Sequence, residues 1–146
     1  MEAKTKILIV DDEEVIRLGF LRSLVNTQCK VEAVWNGVDA LSAMEREPFD
    51  VVLLDLHMSD MDGMAVLKTI KEKWPNSEVV IITGYPTLET AKEAVRLGAH
   101  DYLAKPVGSE DVVNAAVGAM TQKKWALHAD HANRNEGTGS MTGSCL

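Results

Sequence analysis

Three short segments, Lys6 to Val10 (KILIV), Val51 to Leu54 (VVLL) and Glu78 to Ile82 (EVVII), are rich in β-formers and do not alternate with polar residues. A strand with no polar face must be covered on both sides, which is the pattern of a central strand in a parallel sheet. Such a sheet needs helical crossovers, and the intervening segments supply them. From Glu14 to about Asn26, apolar residues recur at Val15, Leu18, Leu21 and Val25 with a helical period. Gly37 opens a second helix with Ala40, Leu41 and Met44 inward, and Pro48 stops it. A third helix runs from about Gly63 to Trp74 with Val66, Leu67 and Ile70 inward, and Pro75 breaks it. Thr87 suits the cap of a fourth helix with Leu88, Ala91, Ala94 and Val95 inward, closed by Gly98 in a left-handed conformation. Ser109 suits the cap of a fifth, whose apolar face is Val112, Val113, Ala116 and Met120. Two weaker strands complete the set: one around Val31 and Val34, expected at a sheet edge, and one at Asp101 to Ala104.

Five strands alternating with five helices predict an α/β fold, a five-stranded parallel sheet doubly wound by helices on both faces. A length of 146 residues suits one domain. After Leu127 the chain turns polar, glycine-rich and aperiodic, a tail or linker to which no function is assigned. The net charge of -7 argues against nonspecific nucleic-acid binding. Cys29 and Cys145 are too few and too far apart for a disulfide framework or a metal knuckle. With no transmembrane run or signal-peptide pattern, the expected setting is the cytoplasm, away from any membrane.

In open α/β sheets the chemistry lies just past the carboxyl ends of the strands. Those positions here are Asp11 and Asp12, Asp55, and Thr83, with Lys105 after the fifth strand. Taken singly, each has a plain structural explanation: a helix cap, a turn aspartate, an end-of-strand hydroxyl, a surface lysine. Their coincidence at four strand ends points to a site. Converging carboxylates repel and raise one another's pKa unless a cation joins them. A hard divalent ion resolves that conflict, and Mg²⁺ suits one or two carboxylates plus water and phosphate oxygens. Lys105 and the Thr83 hydroxyl suit the charge and hydrogen-bonding needs of a phosphoryl group, and a carboxylate can itself accept one. No glycine-rich phosphate loop follows the first strand, which disfavours nucleotide binding in those modes.

The segments ILIVDDE, LLDLHMSDMDG, ITGY and LGAHDYLAKP, in that order, closely resemble the receiver domain of two-component response regulators, over roughly Lys4 to Lys124. The resemblance implies a flavodoxin-like strand order 2-1-3-4-5, with residues 125–146 as a tail or the start of a linker to an output domain. It implies that Asp55 is phosphorylated by a sensor histidine kinase or phosphotransfer protein. Asp12 and Asp55 would be carboxylate ligands of Mg²⁺, with Asp11 acting largely through water and the His57 backbone carbonyl completing the protein's ligands. Thr83 and Lys105 would grip the phosphoryl oxygens. Tyr102 falls at an aromatic switch position, with Thr83 coupling it to phosphate. Pro106 corresponds to a proline often preceded by a cis bond. A homodimer or partner contact would use the face of the fourth helix, fifth strand and fifth helix, and control of transcription is the expected output.

One departure is Ser59, where the family usually has proline, which loosens that loop without touching a phosphoryl ligand. The His57 side chain either sits at the mouth of the site, tuning access of attacking water, or simply faces solvent. Met58, Met61 and Met64 suit loop-to-helix packing. Trp35 suits the end of the second strand, while Trp74 and Trp125 fall at helix ends. Two other functions fit the scaffold less well. A phosphorylation-independent interaction module would not need Asp11, Asp12, Asp55, Thr83 and Lys105. A Mg²⁺-dependent phosphatase would place its nucleophile on the first strand and carry a cap region.

Overall fold

The computed structural model describes residues 4–121. Its five strands are β1 (Lys6–Val10), β2 (Lys30–Val34), β3 (Val51–Leu54), β4 (Glu78–Thr83) and β5 (Asp101–Ala104). They form one parallel sheet in the order β2-β1-β3-β4-β5. The helices are α1 (Glu14–Leu24), α2 (Gly37–Arg46), α3 (Gly63–Lys73), α4 (Leu88–Arg96) and α5 (109–121). The boundary at Lys124, Trp125 and the polar tail with Cys145 lie outside the described residues. Among the described residues, no helix is long and apolar enough to cross a membrane.

Side chains leave a strand on alternate faces, so each two-sided run feeds two cores. Leu8, Val10, Val52, Leu54, Val79 and Ile81 pack with Ala40, Met44, Val66, Leu67, Ile70 and Ala94 from α2, α3 and α4. Ile7, Ile9, Val51, Leu53, Val80 and Ile82 pack with Phe20 and Leu24 of α1 and with Val112, Ala115, Ala116 and Ala119 of α5. The absence of polar residues inside these strands is thereby explained: neither face meets water. β2 is the edge strand that its weaker pattern predicts, with no fully buried residue.

Helix ends follow local chemistry. Asn36, Asp62 and Thr87 cap α2, α3 and α4, each accepting a backbone N–H from the first turn. Gly98 ends α4 at φ 100°, and the Gly98 and Ala99 N–H groups donate to Val95 and Ala94, the paired bonds of a Schellman ending. Lys105–Pro106 is cis.

Three expectations need correction. α1 stops at Leu24 and continues as a 3₁₀ turn (Val25–Thr27). It buries Phe20 and Leu24, while Val15, Leu18 and Val25 face solvent. Of the expected set only Leu21 packs against the core, beside Ile16 and the stripe through Phe20 and Leu24 that the sheet takes. In α4, Ala94 is buried and Leu97 packs against the core, whereas Leu88 and Val95 are exposed. Finally, Ser109 does not cap α5. The Val112 N–H donates to Gly108, which puts the cap one residue earlier, and the Ser109 hydroxyl pairs with that of Ser23 at 2.9 Å.

Candidate functional site

Register brings the acids together. Val10 lies opposite Leu54 in the β1–β3 ladder, and the Asp55 N–H donates to the Val10 carbonyl at 2.9 Å. The next residue of each strand, Asp11 and Asp55, therefore leaves the sheet side by side. Asp12 follows, and carboxylate oxygens of Asp11, Asp12 and Asp55 lie within 4.8 Å of one another. Asp11 and Asp55 are buried and Asp12 is exposed. On the far side, Thr83 lies opposite Ala104, and the Lys105 N–H donates to the Thr83 carbonyl at 2.8 Å. The Lys105 side chain crosses to the acids: its Nζ is 2.8 Å from Asp11 Oδ2, 3.3 Å from Glu13 Oε1 and 3.8 Å from Asp55 Oδ2. The resulting cleft of about 270 Å³ is lined by Asp12, Glu13, Asp55, His57, Gly84, Tyr85 and Lys105.

The electrostatics follow from one ammonium among several carboxylates. Burial, and next the charge of Asp11, push the Asp55 carboxyl above its ordinary range, against the pull of Lys105 and the His57 N–H. Burial would lower Lys105, but its hydrogen bond to Asp11, the charges of Asp11 and Asp55, and a hydrogen bond to Glu13 outweigh that and raise it. A buried carboxylate held partly uncompensated, with an exposed carboxylate beside it, is a donor set suited to a hard cation. Both Asp11 oxygens are engaged within the protein, Oδ1 by the Glu13 N–H and Oδ2 by Lys105.

The loop after Asp55 turns back sharply. The Gly63 N–H donates to the Leu56 carbonyl, and a Cβ on residue 63 would lie 2.5 Å from the Asp55 carbonyl oxygen. Only glycine permits α3 to start so close to that backbone. His57 is exposed, and its ring stands 5.1 Å from that of Tyr85 at the mouth of the cleft. The side chain thus sits at the mouth and faces solvent at once. Met64 is buried, and Met58 and Met61 pack against the core, as expected of loop-to-helix contacts. Trp35 is exposed beneath the Arg17 guanidinium, and Trp74 packs partly against the core.

Thr83 is fully buried, and its Oγ1 accepts the Tyr85 N–H at 3.1 Å. Tyr102 lies opposite Ile81 and packs against the same core. Strand alternation puts Thr83 on that face too. The Tyr102 hydroxyl is 2.6 Å from Thr90 Oγ1 and accepts the Thr87 N–H at 3.2 Å, tying β5 to the start of α4. Three residues of the site escaped sequence reasoning. Glu13, the third acid in succession after β1, shares Lys105; Arg17 donates to the Asp11 carbonyl at 2.8 Å; Asp60 bonds to α2. For Asp60 the available signal was an acid at every second position in SDMDG.

The response regulator receiver domain family matches this chain over residues 7–117. An NtrX-like response regulator of Rickettsia felis is 37% identical over 109 residues, covering 73% of this chain and 23% of that protein. The transcriptional regulatory protein ZraR of Salmonella typhimurium is 40% identical over 108 residues, 73% of this chain and 24% of that one. The chain thus spans about a quarter of the length of these curated relatives. Among solved structures, the receiver domain of NtrX from Brucella abortus superposes with a TM-score of 0.73 at 34% identity, covering 78% of this chain and 97% of that one.

Proposed function

The chain belongs to the response regulator receiver domain family, and on that premise we propose that it is a phosphorylation-operated signalling switch. Asp55 accepts a phosphoryl group from a sensor histidine kinase or phosphotransfer protein: an Asp55 oxygen bonds to phosphorus as the donor's bond to phosphorus breaks. The observation that carries this reading is the meeting of Asp11, Asp12 and Asp55 within 4.8 Å, with Lys105 reaching across to Asp11 and Asp55. Asp12, Asp55 and the His57 carbonyl would hold Mg²⁺, with Asp11 acting largely through a bound water. When bound, the ion neutralises the carboxylates and shields phosphoryl oxygens from them.

The remaining steps belong to the chain. Lys105 leaves Asp11 for a phosphoryl oxygen, a short move for a flexible ammonium already 3.8 Å from Asp55. The Thr83 hydroxyl can donate to a second oxygen, since in this state it accepts from Tyr85. Its movement opens room on the face it shares with Tyr102, whose hydroxyl bonds link it to α4. Charge-assisted bonds contribute roughly 1.5–3 kcal/mol each. Two of them approach the ~5.5 kcal/mol that turns a two-state balance from mostly off to mostly on. The output surface is the α4–β5–α5 face, for a homodimer or a partner, and relatives described as transcriptional regulators favour transcription as the process controlled.

Wild type incubated with a small phosphodonor and Mg²⁺ should gain one acid-labile, hydroxylamine-sensitive group, with amide shifts reaching 88–97 and Tyr102 by NMR when beryllofluoride replaces the donor. Asp55→Asn should lose both. Undiminished labelling in that variant would refute the acceptor assignment. Binding without labelling would favour a phosphorylation-independent interaction module.

A further inference from the structure

The loop at 57–62 is strung between two helix starts. His57 and Asp62 close its base as an isolated antiparallel bridge, and Asp62 Oδ1 accepts the Met64 N–H at the start of α3. At its tip, Asp60 reaches the other helix. Its Oδ1 accepts the Gly37 N–H and its Oδ2 the Val38 N–H, both at 3.0 Å. The Asp39 N–H goes to the Asn36 side chain at 2.7 Å, so the first-turn donors of α2 are divided between a local cap and this remote one. The bonds to Gly37 and Val38 hold the Asp60 carboxyl below its ordinary range. Met61 seals the contact, its side chain standing where a Cβ on residue 37 would have to go.

The same β2–α2 turn also holds the other acidic loop. The Asp11 N–H donates to the Val34 carbonyl, and Arg17, bonded to the Asp11 carbonyl, lies 5.5 Å over the Trp35 ring. One turn therefore ties down both segments that flank the acids. Within the 57–62 loop the His57–Asp62 bridge restrains the base, and Asp60 restrains the tip from outside.

We propose that Asp60 is a positioning residue for the metal site: by fastening the 57–62 loop to the start of α2, it sets the His57 carbonyl against Asp12 and Asp55. This rests on the reading of the site given above. Partners that orient ligands without touching the metal typically account for 10–100-fold in affinity.

The experiment is a Mg²⁺ titration followed by calorimetry, well below the melting temperature, on wild type, Asp60→Asn, Gly37→Ala and Asp39→Asn. Asp60→Asn should weaken Mg²⁺ about tenfold. Gly37→Ala leaves every charge in place but displaces Met61, and should weaken it in the same direction; it decides the matter if Asp60→Asn does not fold. Asp39→Asn removes an equal charge from the same helical turn and should change affinity less than about twofold at physiological ionic strength, where exposed charges are screened. If the Asp60 and Gly37 variants bind like wild type, or Asp39→Asn weakens binding as much as Asp60→Asn, positioning by Asp60 is overturned while the metal site stands. No binding by wild type would overturn the site itself, and this inference with it.

Discussion

The two ends of the sheet treat charge in opposite ways. At the amino end, the Lys6 N–H donates to Asp50, its ammonium meets Glu47 at 2.5 Å, and the same ammonium lies 4.6 Å over the Phe49 ring. The Ser77 hydroxyl donates to the Phe49 carbonyl, and Lys71 bonds the carbonyls of Pro75 and Ser77. At the carboxyl end, Lys105 is shared among Asp11, Glu13 and Asp55. The carboxyl groups record the difference: the hydrogen bond from Lys6, and then its charge, lower Glu47, whereas burial and Asp11 raise Asp55. One end is matched and holds the fold. The other keeps a buried carboxyl whose negative charge is only partly offset.

The largest test of that division is Phe49→Ala. It removes a buried ring at the matched end and should cost about 3–5 kcal/mol, a large share of a small domain's stability. Denaturant melts should give the same loss with and without Mg²⁺. A loss that Mg²⁺ repairs would mean the two ends are not independent.

Next in size is the response to the ion. At a Mg²⁺ concentration a hundred times its Kd, stability should rise by about 2.7 kcal/mol, read as a higher melting temperature. The gain should shrink as pH falls and protons compete for Asp55, whose carboxyl is already raised. Equal melting temperatures with and without the ion at neutral pH would remove the functional contrast.

The smallest effect concerns metal-free protein. An acid whose folded pKa is raised binds its proton more tightly when folded. Its contribution is therefore favourable at low pH and is lost as pH rises from the ordinary value of 3.8 through the raised one. Asp55→Asn should match wild type at the acid side of that window and be the more stable protein at neutral pH. Thermal melts across pH would show it, and a variant less stable than wild type at pH 7 would contradict the sign.

Much of this is legible in the amino-acid sequence, because uninterrupted apolar runs permit only a sheet covered on both faces, and strand ends in such a sheet converge. Asp11, Asp12, Asp55, Thr83 and Lys105 follow from that rule. Orientation does not follow where a helix offers two apolar stripes: Val15, Leu18 and Val25 carry the same period as Phe20 and Leu24, and only the packed sheet chooses. α4 repeats the lesson with Leu88 and Val95. Asp60 and Arg17 are hidden for another reason. Their partners, Gly37, Val38 and the Asp11 carbonyl, are backbone atoms, which no side-chain pattern advertises.

The ladder that sets Val10 opposite Leu54 has a consequence for how such a protein can change. The gap between Asp11 and Asp55 is gauged by main-chain hydrogen bonds at the ~4.8 Å pitch of neighbouring strands. Substituting side chains elsewhere does not recalibrate it. Loop positions without such backbone ties as those of Asp60 and Gly63 can therefore vary in sequence while the ruler beneath them stays the same. A single inserted or deleted residue within β1 or β3 is another matter. It would send the side chains beyond it to the opposite core and carry one aspartate past the other. Variation in this molecule has an asymmetric grammar: generous in spelling at the rim, strict in counting along the strands.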